Sequence, residues 1–238
     1  MLGFLRFLLA VLCFPFVWAL FCTFIDSFSL LPGPSEGLFS AEAVSLFAGL
    51  VAFPVAWHFV PDPVRLYVLG HELAHAVVGL LFGARVSNLK VGVKGGSVQL
   101  TKSNVWITLA PYFLPFWTMV VVAVASVVRG VMYFTHPGVP LPAPWAWMFA
   151  VGFTWSFHAC FTIRSLMQRQ PDVEEYGRVF SWTFILACNI AGVLLWIVCT
   201  TGIAPRAMAG CLWSSVSHAY ASLWAAACAC ARMALGER

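Results

Sequence analysis

Charge is scarce in this chain of 238 residues. Only 9% of its residues are Asp, Glu, Lys or Arg, against about 25% in soluble domains, and just three are aspartates: Asp26, Asp62 and Asp172. Too few charged side chains exist to cover a water-soluble globule, so that class is excluded. The formal net charge of +4 comes without any basic tract, which argues against nucleic acid as a partner. Internal repeats, low-complexity tracts and long polar segments are missing as well, leaving no stretch for a separate soluble domain. Cysteine is present in eight copies, yet Cys13, Cys22, Cys160, Cys188 and Cys199 sit inside apolar runs, where a thiol behaves as a small hydrophobe. No disulfide framework is expected. Cys228-Ala229-Cys230 has no companions at metal-ligand spacing and reads as a helix tail of small residues.

Hydrocarbon fills the space that charge leaves. Hydrophobic residues make up 61% of the chain and the mean hydropathy is +0.89. Apolar segments fall at about 3–24, 42–60, 64–83, 105–133, 145–166, 178–203 and 208–232, each near the ~20 residues that cross ~30 Å of hydrocarbon. The expectation is an all-α polytopic membrane protein with six to seven transmembrane helices, forming one integral membrane domain over residues 1–238. Two N-terminal helices occupy 1–60, a core 61–203 and a C-terminal helix 204–238. Ser214, Ser215, Ser217 and His218 make that last helix only moderately apolar, so it either spans the bilayer or lies in its interface. The segment Met1–Cys22 resembles a signal peptide in length but lacks a small-x-small cleavage site, and is expected to stay as the first span. Pro32-Gly33-Pro34, Pro61-Asp62-Pro63 and the run 136–142 mark loops.

One segment departs from helix. Between Arg85 and Lys102, Leu89, Val91 and Val93 alternate with polar residues before Lys94-Gly95-Gly96-Ser97, and Val98 and Leu100 alternate after it. Period-two alternation on both sides of a glycine turn predicts a small β-hairpin over 85–103. Taking every apolar segment as a span with the N-terminus outside, Arg85, Lys90, Lys94, Lys102, Arg164, Arg169, Arg178, Arg232 and Arg238 fall on the hairpin side. Arg6, Arg65, Arg129 and Arg206 fall on the other. This nine-to-four split makes the hairpin side cytoplasmic, and a bacterial cytoplasmic membrane is the expected setting. The lipid bilayer is then the chain's first partner.

Against this background, Gly70-His71-Glu72-Leu73-Ala74-His75 stands out. Its neighbours Leu69, Leu73, Val77, Val78 and Leu80 are apolar on every side of the helix, so a solvated surface helix does not explain it. Ionisable groups within a membrane are costly and mark functional sites by default. Histidines at i and i+4 share one helix face and can bind one metal ion, while Glu72, about 100° round the helix from His71, reaches the same neighbourhood. Six His and six Glu in the whole chain put a chance HExxH on the order of a few in a thousand. The arrangement matches zinc hydrolases, in which the metal lowers the pKa of water to about 7 and the glutamate takes its proton. His71 and His75 are the expected ligands of Zn2+ and Glu72 the expected general base.

His71-Glu72-Leu73-Ala74-His75 on a membrane helix, followed by Leu81-Phe82-Gly83-Ala84-Arg85-Val86 and a hairpin with Lys94-Gly95-Gly96-Ser97-Val98, resembles the site-2-type intramembrane zinc metalloproteases over about residues 64–118. The resemblance implies a protease core over 61–203 that hydrolyses peptide bonds of a transmembrane protein substrate. It also implies a motif helix entering from outside, a membrane-associated hairpin on the cytoplasmic side, and a third ligand that is an aspartate on a later helix. Helical substrates hide their peptide bonds, so the hairpin edge would hold an unwound segment by β-augmentation. A plain connector is the other use of such a hairpin.

The third ligand has two candidates. Asp172, in Gln170-Pro171-Asp172-Val173-Glu174-Glu175, matches the family's chemical type, although the family's Leu-Asp-Gly motif is absent and Asp172 counts as lying at the cytoplasmic boundary. His158 lies mid-span on a helix counted as parallel to the motif helix, at about the depth of His71 and His75. Whichever does not bind is expected to orient a ligand from behind, or, for His158, to bond Thr154 or Thr162. Asn104 and Asn189 are candidates for steadying an oxyanion or for ordinary interhelical bonds; Gly79 and Gly83 are expected to let a neighbouring helix approach. Two alternatives of other classes stand beside the protease: a non-catalytic membrane scaffold or chaperone with the same fold, and a haem carrier using the two histidines.

Overall fold

The computed structural model describes residues 2–31, 40–93 and 95–234; Pro32-Gly33-Pro34, Lys94 and Arg238 lie outside them. The fold is mostly helical with one two-stranded antiparallel sheet: α1 Leu2–Ser27, α2 Ala41–Trp57, α3 Val64–Leu81, β1 Val86–Gly92, β2 Gly95–Leu100, α4 Val105–Phe113, α5 Phe116–Thr135, α6 Pro144–Leu166, α7 Pro171–Tyr176, α8 Arg178–Thr201 and α9 Pro205–Ala234. Five helices among the described residues, α1, α3, α5, α6 and α8, are long and apolar enough to cross a membrane. Helix α2 is also apolar but has 17 residues, and α9 is not among the five. All eight cysteines are free thiols.

The chain divides into two compact units, residues 1–33 with 174–238, and residues 34–173. In the first, α1 packs on α8 and α9, with Leu20, Leu194, Ile203 and Met208 at its buried centre. The Tyr220 hydroxyl donates to the Leu12 carbonyl across α1 and α9 (3.1 Å), and Arg6 donates to the Glu175 carbonyl at 2.7 Å and lies over the Tyr176 ring.

In the second unit, α2 and α6 lie side by side and run parallel. Their order of contact is Gly49 with Phe149 and Phe153, Phe53 with Phe157, and Trp57 with Phe161. Glycine makes the approach possible: a Cβ on Gly49 would stand 2.2 Å from the Phe149 carbonyl oxygen, and one on Gly152 2.1 Å from that of Leu46. Helix α6 is therefore antiparallel to α3, with Phe161 stacked on Tyr67 and His158 facing the level of His71. This corrects the expectation that His158 rides on a helix parallel to the motif helix.

The cause is a break inside the segment read as one helix over 105–133. Pro115 has no N–H and pushes Leu114 to an extended conformation (φ −97°, ψ 104°), ending α4 after nine residues. Ile107 in α4 packs against Ala74 and Val78, and Trp117 at the start of α5 reaches Leu66, so α4 climbs along α3 from the hairpin end. Were α5 to continue the same way, its end would lie roughly 55 Å from the start of α6, twice what the 136–143 loop can span. Helix α5 accordingly turns back, and α6 enters from the hairpin end. Arg164 then finishes at the opposite end, where its guanidinium bonds Asp62 at 2.8 Å in the loop before α3, beside Arg65. The nine-to-four charge split counted Arg164 with the hairpin, and that count does not hold. Asp62 also accepts from the Trp57 indole, and these two bonds, Arg164 first, hold its carboxyl below the ordinary carboxylate range.

Helix α3 ends through its glycines rather than by helix packing at them. Gly83 adopts φ +71°, its N–H bonds the Leu80 carbonyl (2.9 Å) and the Ala84 N–H bonds that of Gly79 (2.8 Å), a Schellman closure. Gly79 faces Leu100 of the hairpin, so the expected neighbouring helix is a strand. The hairpin forms where alternation placed it, with Gly92 opposite Gly95 and a bulge at Asn88 and Leu89 that leaves Val98 out of register. Gly95 and Gly96 lie in β2 rather than in the turn.

Because Gly152 admits no Cβ without moving the α2 backbone, Gly152→Ala should destabilise the protein by about 1–3 kcal/mol. Gly192→Ala in α8, with nothing within 4 Å of its added carbon, should be neutral or stabilising. Detergent-solubilised thermal unfolding of both variants checks the contrast.

Candidate metal centre

Helix α3 presents His71 and His75 one turn apart, their ring centroids 5.0 Å from each other. Beyond the end of α6, residues 167–170 carry the chain back to the level of this pair, and α7 opens with Pro171 at its first position, a residue suited to a helix start. Asp172 follows in the first turn of α7. Its Oδ2 lies 3.5 Å from His71 Nε2 and 3.6 Å from His75 Nε2. One ligand atom from each of the three residues lies within 4.8 Å of the others, the only such group among the described residues. His158 is not part of it.

These separations fit a small divalent cation. Donors about 2.0–2.2 Å from a tetrahedral zinc stand roughly 3.3–3.6 Å apart, the spacing seen from the carboxylate to each imidazole. Two nitrogens and one carboxylate oxygen are also a donor set zinc accepts with one position left open. The supporting bonds point the same way. His75 Nδ1–H donates to the Ile107 carbonyl at 2.8 Å, which leaves Nε2 with its lone pair turned toward Asp172. Asp172 Oδ2 also accepts from the Tyr112 hydroxyl at 3.0 Å, and the fully buried Tyr112 ring stands edge-on to His71 at 5.3 Å. Burial would raise the Asp172 carboxyl, but the bonds and charge supplied by His71 and His75 outweigh it and hold the group well below the ordinary carboxylate range. The site therefore keeps an anion facing two imidazoles.

Glu72 lies on the adjoining face of α3, 7% exposed, close enough to His71, His75 and Asp172 to feel their charge. The hairpin covers it. The Val98 backbone N–H lies near the Glu72 carboxylate, and a Cβ on Gly96 would stand 2.8 Å from Glu72 Cγ and 2.7 Å from Val68 Cγ1. Gly96 is thus a position where only glycine lets the strand come down onto the helix.

Of the residues named from sequence, His71, Glu72, His75 and Asp172 come together. His158 stands behind His71, beside the Tyr112 backbone; Thr154 bonds the Ala150 carbonyl instead, and neither Thr162 Oγ1 nor His158 Nε2 has a hydrogen-bond partner among the described residues. Depth counting misplaced Asp172, because it treated the end of α6 as the far boundary, whereas the chain doubles back. Asn104 caps α4, accepting from the Ile107 N–H at 3.0 Å, and Asn189 donates to the Ile185 carbonyl within α8. Tyr112, Ile107, Val98 and Gly96 were missed. Pro111 and Pro115, on either side of Tyr112, were the available signal for that residue alone.

Purified protein is expected to bind about one zinc per chain, and Asp172→Asn to weaken that binding by roughly 10³-fold. Chelator competition measures it, and an Asp172→Asn protein that holds zinc as tightly as the parent would remove Asp172 from the ligand set. Comparison with known proteins finds no matching family model, no similar curated protein and no similar solved structure, so the donor geometry alone carries the assignment.

Proposed function

We propose that this chain is a zinc-dependent intramembrane protease of the site-2 type, hydrolysing peptide bonds of membrane-embedded protein substrates. The observation that carries the reading is the arrival of Asp172, distant in sequence, within 3.6 Å of two histidines one turn apart on an apolar helix, with a buried glutamate beside them. His71, His75 and Asp172 would hold the zinc, which would supply Lewis acidity to a water molecule and to a substrate carbonyl.

The remaining work belongs to the chain. Glu72 accepts a proton from the attacking water on its carboxylate and returns it to the departing amide nitrogen. Strand β2 lies directly against Glu72 at Gly96 and limits the space in which that carboxylate can turn. Tyr112 and the Ile107 carbonyl fix Asp172 and His75. Strand β2 passes Glu72 at Gly96–Val98, so a backbone edge lies beside the base, where an unwound substrate segment can pair. On this reading the surrounding bilayer is a partner that delivers substrate laterally. With the N-terminus outside, the hairpin would lie on the cytoplasmic side of six to seven spans.

Two variants test the assignment in a bilayer-reconstituted cleavage assay with a transmembrane reporter. Glu72→Gln should keep its zinc and lose about 10²–10⁴-fold in turnover; undiminished cleavage by it would sink the protease reading and favour the scaffold. Gly96→Ala should likewise keep zinc, while displacing the hairpin from Glu72 and lowering turnover by up to about 10²-fold.

A further inference from the structure

Two ring nitrogens on different helices have no hydrogen-bond partner among the described residues: Nδ1 of His71 and Nε2 of His158. Both rings line one small pocket together with Tyr67, Gly70, Phe157 and Trp117, a site of the size that takes a single water molecule. Their hydrogen-bonding roles are complementary. For His71 to turn a lone pair on Nε2 toward Asp172 and a metal, its proton must sit on Nδ1, which is therefore a donor. His158 Nε2 has no partner either, and a neutral imidazole that carries its proton on Nδ1, the nitrogen nearer the Tyr112 backbone, offers a lone pair on Nε2.

The two metal-facing imidazoles are thus supported unequally. His75 has the Ile107 carbonyl behind it at 2.8 Å, while nothing in the described structure bonds His71 from behind. His158 is 8% exposed and lines the same pocket as His71. We propose that one water molecule bridges His71 Nδ1–H and His158 Nε2, making His158 the positioning residue that holds His71 in its metal-binding tautomer and orientation. The role rests on the metal centre described above and extends it to the ligand whose support is otherwise missing. A donor with no acceptor, buried behind a metal ligand, carries an unmet desolvation cost that the bridge removes.

The test is zinc affinity of the full chain in detergent, measured by chelator competition with zinc alone, beside the thermal midpoints of the metal-free proteins. H158F removes the acceptor and should weaken zinc binding by about 10–100-fold. H158Q restores an acceptor near the Nε2 position and should stay within about threefold of the parent, with the metal-free midpoints alike. Should H158F not fold, H158N takes its place, keeping a donor beside the Tyr112 backbone but no acceptor in the pocket, and the same loss is expected. H158F binding zinc as tightly as the parent would overturn the bridge, as would H158Q falling as far as H158F. A loss in H158F as deep as that of Asp172→Asn would make His158 a ligand and overturn it too. A parent chain that takes up no stoichiometric zinc would overturn the metalloprotease reading, and this role with it. A zinc-binding parent with an indifferent H158F overturns the role alone.

Discussion

A carboxylate placed within 3.6 Å of two imidazole nitrogens, inside a unit built from apolar helices, is the constraint around which the second unit is arranged. Removing a carboxylate from water costs several kcal/mol even after relaxation, so Asp172 at this depth requires compensation. A single proton can neutralise it through one imidazole, leaving the other lone pair unused. A divalent cation bonded to all three donors uses every lone pair at once. The neighbouring bonds are consistent with that second solution, since the Ile107 carbonyl fixes the His75 proton on the far nitrogen and Tyr112 donates to the same Asp172 oxygen that faces the rings.

Bringing the three donors together depends on how the chain reverses. Two adjacent histidines come free with one helix, but the aspartate is about a hundred residues away and must be returned to mid-helix depth. The Leu114–Pro115 break does the first part, turning α5 back so that α6 runs antiparallel to α3 and places His158 behind His71. The Gly49 and Gly152 contacts then lock α6 to α2, and the Arg164–Asp62 bond ties its far end to the loop before α3. With α6 fixed at both points, the short descent through residues 167–171 has one place to deliver Asp172. The local rules are ordinary ones; the site emerges from their sequence along the chain.

Those rules also explain what the amino-acid sequence made legible. HExxH, the alternation of the hairpin and the helix-length apolar runs are patterns confined to a few turns, and His71, Glu72, His75, strands β1 and β2 and most helices could be placed from them. The direction of α6 could not, because an apolar window extends across Leu114–Pro115 without registering that two φ/ψ pairs have reversed the chain. One missed reversal propagates: it turned α6 over, moved Arg164 to the wrong end, and set Asp172, kept as a candidate ligand on its chemical type, at the far boundary instead of at the level of the histidines. The partners of the site were less legible still. Nothing in the sequence marks the Ile107 carbonyl or the Val98 N–H, since every residue has them and only tertiary packing selects which ones are used.

On the protease reading, the hairpin is what makes the chemistry compatible with a membrane. A glutamate serving as base needs a defined orientation and shelter from bulk water, and a peptide bond in a transmembrane helix is inaccessible until the helix opens. Strand β2 meets both needs from a single contact. Its descent onto α3, permitted by the missing side chain at Gly96, covers Glu72 and brings the Val98 N–H near its carboxylate. The same descent places an extended backbone at the depth of the base, where a strand partner replaces the hydrogen bonds that an unwinding helix gives up. On the protease reading, substrate unfolding and base positioning are therefore coupled through one backbone: a segment that does not pair beside β2 remains helical, and its peptide bonds stay out of reach of Glu72.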